Sequence, residues 1–211
     1  MVHLFLTCLA LASGPGPEVI GGSPPVEVQD TLPSRWVLSA QGSEARYRVR
    51  EQLAGFDFPN DAVGVTRELT GSLALGPQGA ISSSDSEFRV QLGSLTTDNE
   101  RRDRFVRRRT LEVDRYPEAV LVPRRFIDLP SPLPDSASVS FRMEADLTLH
   151  GYTRPTVWEV TADFGSDSVV GLATTSFPFE TFGLTIPQVA RVLSVADNIR
   201  LELQFRMVRE G

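Results

Sequence analysis

Among the side chains that usually carry out chemistry, this chain offers two histidines (His3 and His150), one cysteine (Cys8) and no lysine. All 21 of its basic residues are Arg. Without lysine there is no Schiff-base chemistry, no lysine nucleophile and no phosphate-loop lysine. Two His and one Cys cannot assemble a Cys/His or multi-His metal centre, and a lone Cys closes no disulfide within the chain. His150 stands in Leu147-Thr-Leu-His-Gly-Tyr-Thr-Arg-Pro155, at a strand end beside a glycine. A general base there would need a nucleophile or a carboxylate partner. No Gly-x-Ser-x-Gly elbow and no spaced acid completes a triad, so a locally hydrogen-bonded turn histidine is the favoured reading. No catalytic residue and no metal ligand is expected.

The other concentration of chemistry is basic. Residues 101–109 hold six Arg and one Asp, a local charge of +5 in a chain of net −6. Such a cluster could hold an anion: a diphosphate headgroup, an acidic membrane surface or RNA. It could equally be a solvated helix face whose arginines pair with Asp98, Glu100, Glu112 and Asp114, and charge runs are commonly just that. The overall acidity and the lack of interleaved aromatics make nucleic acid the weakest of these partners. Asp98 would cap a short helix here, with acidic residues in its first turn and Arg in its last.

The elements that must position these groups are strands. Ile199-Arg-Leu-Glu-Leu-Gln-Phe-Arg-Met207 alternates apolar and polar over nine residues, as a strand with one buried face does. The same period appears in Ala45–Glu51, Phe88–Leu92, Val139–Ala145, Leu147–Leu149, Val157–Ala162 and Val169–Phe179. Runs near Val63–Leu75 and Ala119–Ile127 bring the count to about eight. Turn signals separate them at 75–79, 129–132, 150–151 and 165–167. Long sequential strands of this kind predict an antiparallel meander closed into a barrel, which leaves no exposed edge. Its interior would be filled by side chains or would hold one small ligand. The 12 Phe residues are compatible with either.

The chain of 211 residues, 41% hydrophobic and 23% charged, suits one folded domain. Leu4–Ala12 is apolar but too short to span a bilayer. It reads either as the core of a secretory signal without a basic leading segment, ending near Ala10-Leu-Ala12, or as a disordered apolar tail, and the signal is the favoured reading. The expected organisation is a signal over 1–13, a Pro/Gly-rich linker over 14–33 and a β domain over 34–211. Export would place the protein in the periplasm or outside the cell.

Motifs spread along the domain resemble the YceI family, the bacterial polyisoprenoid-binding, lipocalin-like proteins. They are Trp36, Tyr47-Arg-Val-Arg-Glu51, Val65-Thr-Arg-Glu-Leu-Thr-Gly71 and Leu95-Thr-Thr-Asp98 with Arg102-Asp103. Tyr116-Pro-Glu-Ala-Val120, Asp146-Leu-Thr-Leu-His-Gly-Tyr-Thr-Arg-Pro155 and Phe179-Glu-Thr-Phe-Gly-Leu184 continue the series. Glu180-Thr181 departs from the family, in which many members carry an Arg before the late Phe-Gly pair.

The resemblance implies an all-β fold, an extended eight-stranded antiparallel barrel with one short helix between strands. It further implies a hydrophobic tunnel for an isoprenoid or quinone-like lipid, no catalytic residues and no cofactor other than that lipid. Periplasmic export and a homodimer are common in the family. On this reading the tunnel is lined by Phe88, Val90, Leu92, Phe105, Phe126, Phe141, Met143, Leu147, Phe177 and Phe182. Arg101, Arg104 and Arg108 would meet the headgroup or, transiently, a membrane surface. The alternative is a barrel that only scaffolds a partner in the cell envelope.

Overall fold

A computed structural model describes residues 34–76, 79–190 and 192–210; the expected signal and linker lie outside the described residues. The strands are β1 (Ser34–Leu38), β2 (Glu44–Leu53), β3 (Asn60–Thr66), β4 (Leu69–Leu75), β5 (Glu87–Gln91), β6 (Glu118–Ile127), β7 (Ala137–Leu149), β8 (Tyr152–Phe164), β9 (Ser168–Phe177) and β10 (Val192–Arg209). One helix, α1 (Glu100–Phe105), followed by a wider π-type turn over Val106–Thr110, separates β5 from β6. All strand pairings are antiparallel, and the β1–β10 pair closes the sheet into a ring.

Ten strands trace eight staves. One edge of β10 is shared end to end by β2 and then β1, so these two follow a single line broken at 39–43. β3 and β4 follow the next line, broken at Arg67 and Glu68. Each break is held by side chains that replace ladder hydrogen bonds. The buried Ser43 hydroxyl accepts from Arg206 N–H at 3.0 Å. Thr66 Oγ1 accepts from Glu68 N–H at 3.0 Å and lies 2.6 Å from Ser94 Oγ. Backbone groups left unpaired at such breaks would be costly.

The alternation of the sequence is the alternation of the wall. Along β10, Ile199, Leu203 and Met207 are buried, and Leu201 and Phe205 pack against them. The runs expected at 139–145 and 147–149 are one strand, in phase through Ala145, Asp146 and Leu147. β7 pairs β8 over 13 residues through a two-residue turn, with φ of 51° at His150 and 78° at Gly151. Positive φ at both positions matches the right-handed strand twist.

Outside, Glu202 on β10 lies beneath Arg46, Arg48 and Arg200, with Arg48 Nε 2.8 Å and Arg200 Nε 3.1 Å from Glu202 Oε1. The arginine-rich face of β2 is therefore a cross-strand ion network. The cap of α1 is Asn99 rather than Asp98: Asn99 Oδ1 accepts from Arg101 N–H at 2.9 Å and Arg102 N–H at 3.3 Å. Asp98 is instead engaged by the Arg102 side chain at 2.6 Å.

Candidate functional site: a barrel cavity open at one end

The barrel is filled at one end and hollow at the other. At the filled end Trp36, Leu75, Phe126, Phe141, Met143 and Met207 leave only about 80 Å³. Phe126 and Phe141 meet edge to face there, with ring centroids 5.3 Å apart. Phe88, Leu121 and Leu203 border both spaces and partition them. Beyond the partition lies a cavity of about 720 Å³, within the range of small-molecule sites.

β2 supplies Ala45, Tyr47, Val49, Glu51 and Leu53 to the cavity at every second residue. Ile199 and Leu201 of β10, Ala62 of β3, Ala119 of β6, Leu147 of β7 and Trp158 of β8 complete much of the wall. At the mouth stand Phe56, Phe105, Val189 and Val192. The rim exposes large apolar groups: Phe56 is 66% exposed, and its neighbour Phe58 is 81% exposed.

Of the residues expected to line a tunnel, Phe88, Val90, Leu92, Phe105 and Leu147 border the open cavity. Phe126, Phe141 and Met143 border the small space at the filled end, which Phe88 also touches. Phe177 and Phe182 line neither; they pack on each other in the core, ring centroids 4.7 Å apart. Arg101 lines the cavity, Arg104 pairs with Glu100 at 3.5 Å, and Arg108 is exposed outside the lining.

α1 is docked over the cavity by polar contacts, partly buried except at Asp98. Asp103 Oδ1 accepts from Thr97 N–H at 2.9 Å and from Thr97 Oγ1 at 2.7 Å. Arg102 donates through Nη2 to Glu51 Oε1 at 2.7 Å and through Nη1 to Asp98 Oδ1 at 2.6 Å. Glu51 faces inward on β2, and its carboxylate is met there by Arg102. A charged residue in phase with the apolar face of β2 was the sequence signal for this pair.

Tyr47 is a further polar group of the wall, readable from its phase with Ala45 and Val49. Its hydroxyl is buried without a hydrogen-bond partner among the described residues. Burial pushes its pKa up to about 12; Arg102 opposes the rise, while Asp103, Glu51 and Asp98 add to it. The group is a neutral phenol at ordinary pH.

His150 lies away from the cavity. Its Nδ1 is 3.3 Å from the Phe182 carbonyl oxygen, its Nε2 is 3.9 Å from Glu112 Oε1, and its ring meets Tyr116 edge-on at 4.8 Å. Among the described residues no group of three or more His, Cys, Asp or Glu is arranged to hold a metal ion.

The family model for the YceI-like domain matches residues 36–207. A polyisoprenoid-binding domain from Saccharophagus degradans, implicated in plant cell wall breakdown, is similar in structure with a TM-score of 0.66 at 13% identity. That alignment covers 83% of this chain and 98% of that one. Burkholderia cenocepacia BcnA aligns with a TM-score of 0.61 at 12% identity, over 80% and 98% of the two chains. A Campylobacter jejuni YceI protein gives 0.56 at 13% identity, over 76% and 91%. The search of curated proteins finds no match.

Proposed function

The chain belongs to the YceI-like family, and on that premise we propose that it binds an isoprenoid lipid in its open cavity without converting it. The carrying observation is the cavity itself, about 720 Å³, bordered largely by apolar side chains and stopped at its inner end by Phe88, Leu121 and Leu203. A blind apolar pocket holds a chain end and excludes water from it. Each buried CH₂-sized group contributes roughly 0.8 kcal/mol, so several isoprene units suffice for stable retention. The polyisoprenoid-binding domain from Saccharophagus degradans, which shares this fold, supports the same cargo class.

The rim suggests how cargo enters. Exposed Phe56, Phe58 and Leu193 stand at the open end or in segments adjoining it. Arg101 adds positive charge at the cavity. Apolar and cationic groups together suit transient contact with a membrane surface, and the expected export would give access to one.

Protein purified gently from its own host and extracted with organic solvent should release a stoichiometric isoprenoid by mass spectrometry. Ala119, on the cavity wall, gives the matching variant: Ala119→Trp should fold and lose that lipid. An empty wild-type protein that instead retains one stoichiometric protein partner would replace the carrier reading with the scaffold reading.

A further inference from the structure

The arginine-rich outer face of β2 meets β10 at an irregularity. Between the pairs Val195–Glu51 and Ile199–Val49, three residues of β10 stand against Arg50 alone. Beside this bulge lies a shallow pocket of about 380 Å³ on the outside of the barrel, bordered by Arg48, Arg50, Asp61, Asn198, Arg200 and Glu202. We infer that the pocket is a second binding site, separate from the cavity, for a phosphate dianion, free or carried as a monoester. The inference does not depend on the lipid-binding reading.

The charges here are out of balance. Arg48 and Arg200 are directly opposed across the strands, and like charges in that relation repel. Buried Glu202 is their shared carboxylate, its Oε1 2.8 Å from Arg48 Nε and 3.1 Å from Arg200 Nε, its Oε2 3.9 Å from Arg46 Nη1. Asp61 Oδ1 is 3.5 Å from Arg50 Nη1, long for a hydrogen bond. Glu44 takes Arg46 and Arg67. In this network five guanidinium groups are set against three carboxylates, a local charge of +2 in a chain of net −6.

The donors suit the ligand. Arg48 and Arg200 reach Glu202 through Nε, which leaves their terminal nitrogens to a ligand. The side chains of Arg50 and Arg200 are more than half exposed. Asn198, exposed on the bulge, adds an amide, and bulges re-aim side chains in this way. Guanidinium forks match the paired oxygens of phosphate. A dianion neutralises the local excess, which a monocarboxylate would only halve. Solution phosphate and a lipid headgroup share this chemistry. Arg50 stands three residues before Leu53 of the cavity lining, about 10 Å along the strand, so a membrane at the rim would bring headgroups near.

Amide NMR of isotope-labelled full-length protein, titrated with inorganic phosphate and with acetate at equal ionic strength, tests the site. Phosphate should bind at least about 10-fold more tightly than acetate, with shifts centred on Arg48 to Arg50, Asp61 and Asn198 to Arg200. The double variant Arg50→Gln/Arg200→Gln should weaken phosphate binding about 10-fold. Arg108→Gln, in the exposed turn after α1, should leave it unchanged. Flotation with phosphatidylcholine vesicles containing phosphatidate separates the sources. Vesicle binding lost in the double variant supports the site with a lipid headgroup as ligand; vesicle binding absent or unchanged supports it with free phosphate. Phosphate no tighter than acetate, or shifts centred elsewhere, overturns the inference without any variant. So does undiminished phosphate affinity in the folded double variant, or an equal loss in Arg108→Gln.

Discussion

The Tyr47 ring lies across the backbone of Gly64, its directly opposed partner on the neighbouring strand. A Cβ at position 64 would fall inside the ring's own atoms. Phe88 covers Gly71 and Phe205 covers Gly171 in the same way, each pair in direct register. Three aromatic–glycine pairs thus form part of the wall, each ring flattened onto a strand where its partner lacks a side chain.

Gly64→Ala should displace the Tyr47 ring and destabilise the fold by about 1–3 kcal/mol, the usual cost of overpacking. Gly93→Ala, where an added Cβ meets nothing within 4 Å, should stay within about 0.5 kcal/mol. Urea unfolding midpoints of the two variants give the comparison. Equal midpoints would contradict the packing described here.

Tyr47 should make the fold sensitive to strong alkali. Its folded pKa, about 12, is raised above the reference value of 10.0 by burial. As pH rises the unfolded chain releases this proton first. The stabilisation is fully present below pH 10 and is lost as pH rises from 10 through 12, about 3 kcal/mol in all. In Tyr47→Phe the loss over this window should shrink by that amount, and near-ultraviolet absorbance should lack the late tyrosinate step.

The Arg102–Glu51 bridge ties α1 to β2, with the two side chains only 19% and 9% exposed. Arg102→Leu leaves a shielded carboxylate without its cation and should cost about 3 kcal/mol. Adding Glu51→Leu should recover part of that loss. A double-mutant cycle by chemical denaturation should therefore give a coupling of at least about 1 kcal/mol, and strict additivity would remove the bridge as a positioning contact.

Asp103→Ala deprives Thr97 N–H and Oγ1 of their shared acceptor. The expected cost is about 2 kcal/mol. Amide hydrogen exchange should accelerate over 97–105, with β7 and β8 unaffected. Uniform acceleration across the barrel would show that this contact is not local.

His150→Ala should leave lipid binding intact, since the ring contacts Phe182, Tyr116 and Glu112 rather than the cavity. Losing its packing and the contact to the Phe182 carbonyl should cost about 1–2 kcal/mol, measured as a shift in thermal midpoint. Loss of binding in a folded variant would place His150 in the site.

Much of the barrel could be read one strand at a time. The phase of β10 from Ile199 to Met207 and of β2 from Ala45 to Leu53 states which side chains face inward, because successive residues on a strand point to opposite faces. The family motifs likewise lie in linear order. Less legible were the breaks: Val63–Leu75 looks like one strand, and only the bonds of Thr66 to Glu68 and Ser94 divide it into β3 and β4. The helix was visible as a charge run, yet its cap moved to Asn99 because Arg102 draws on Asp98.

Strand period, turn positions and the lack of lysine and metal-ligand sets belong to the sequence alone, since each depends on residues close together in the chain. The hollow does not. Phe88, Val90, Phe177 and Phe182 are comparable apolar residues, yet the first two border the cavity and the last two fill the core. A void is what remains when wall radius, strand stagger and side-chain volumes from eight distant staves are combined. Only the closed barrel sets that remainder, and only there does the Tyr47 hydroxyl come to stand beside a bridge made by Glu51 and Arg102.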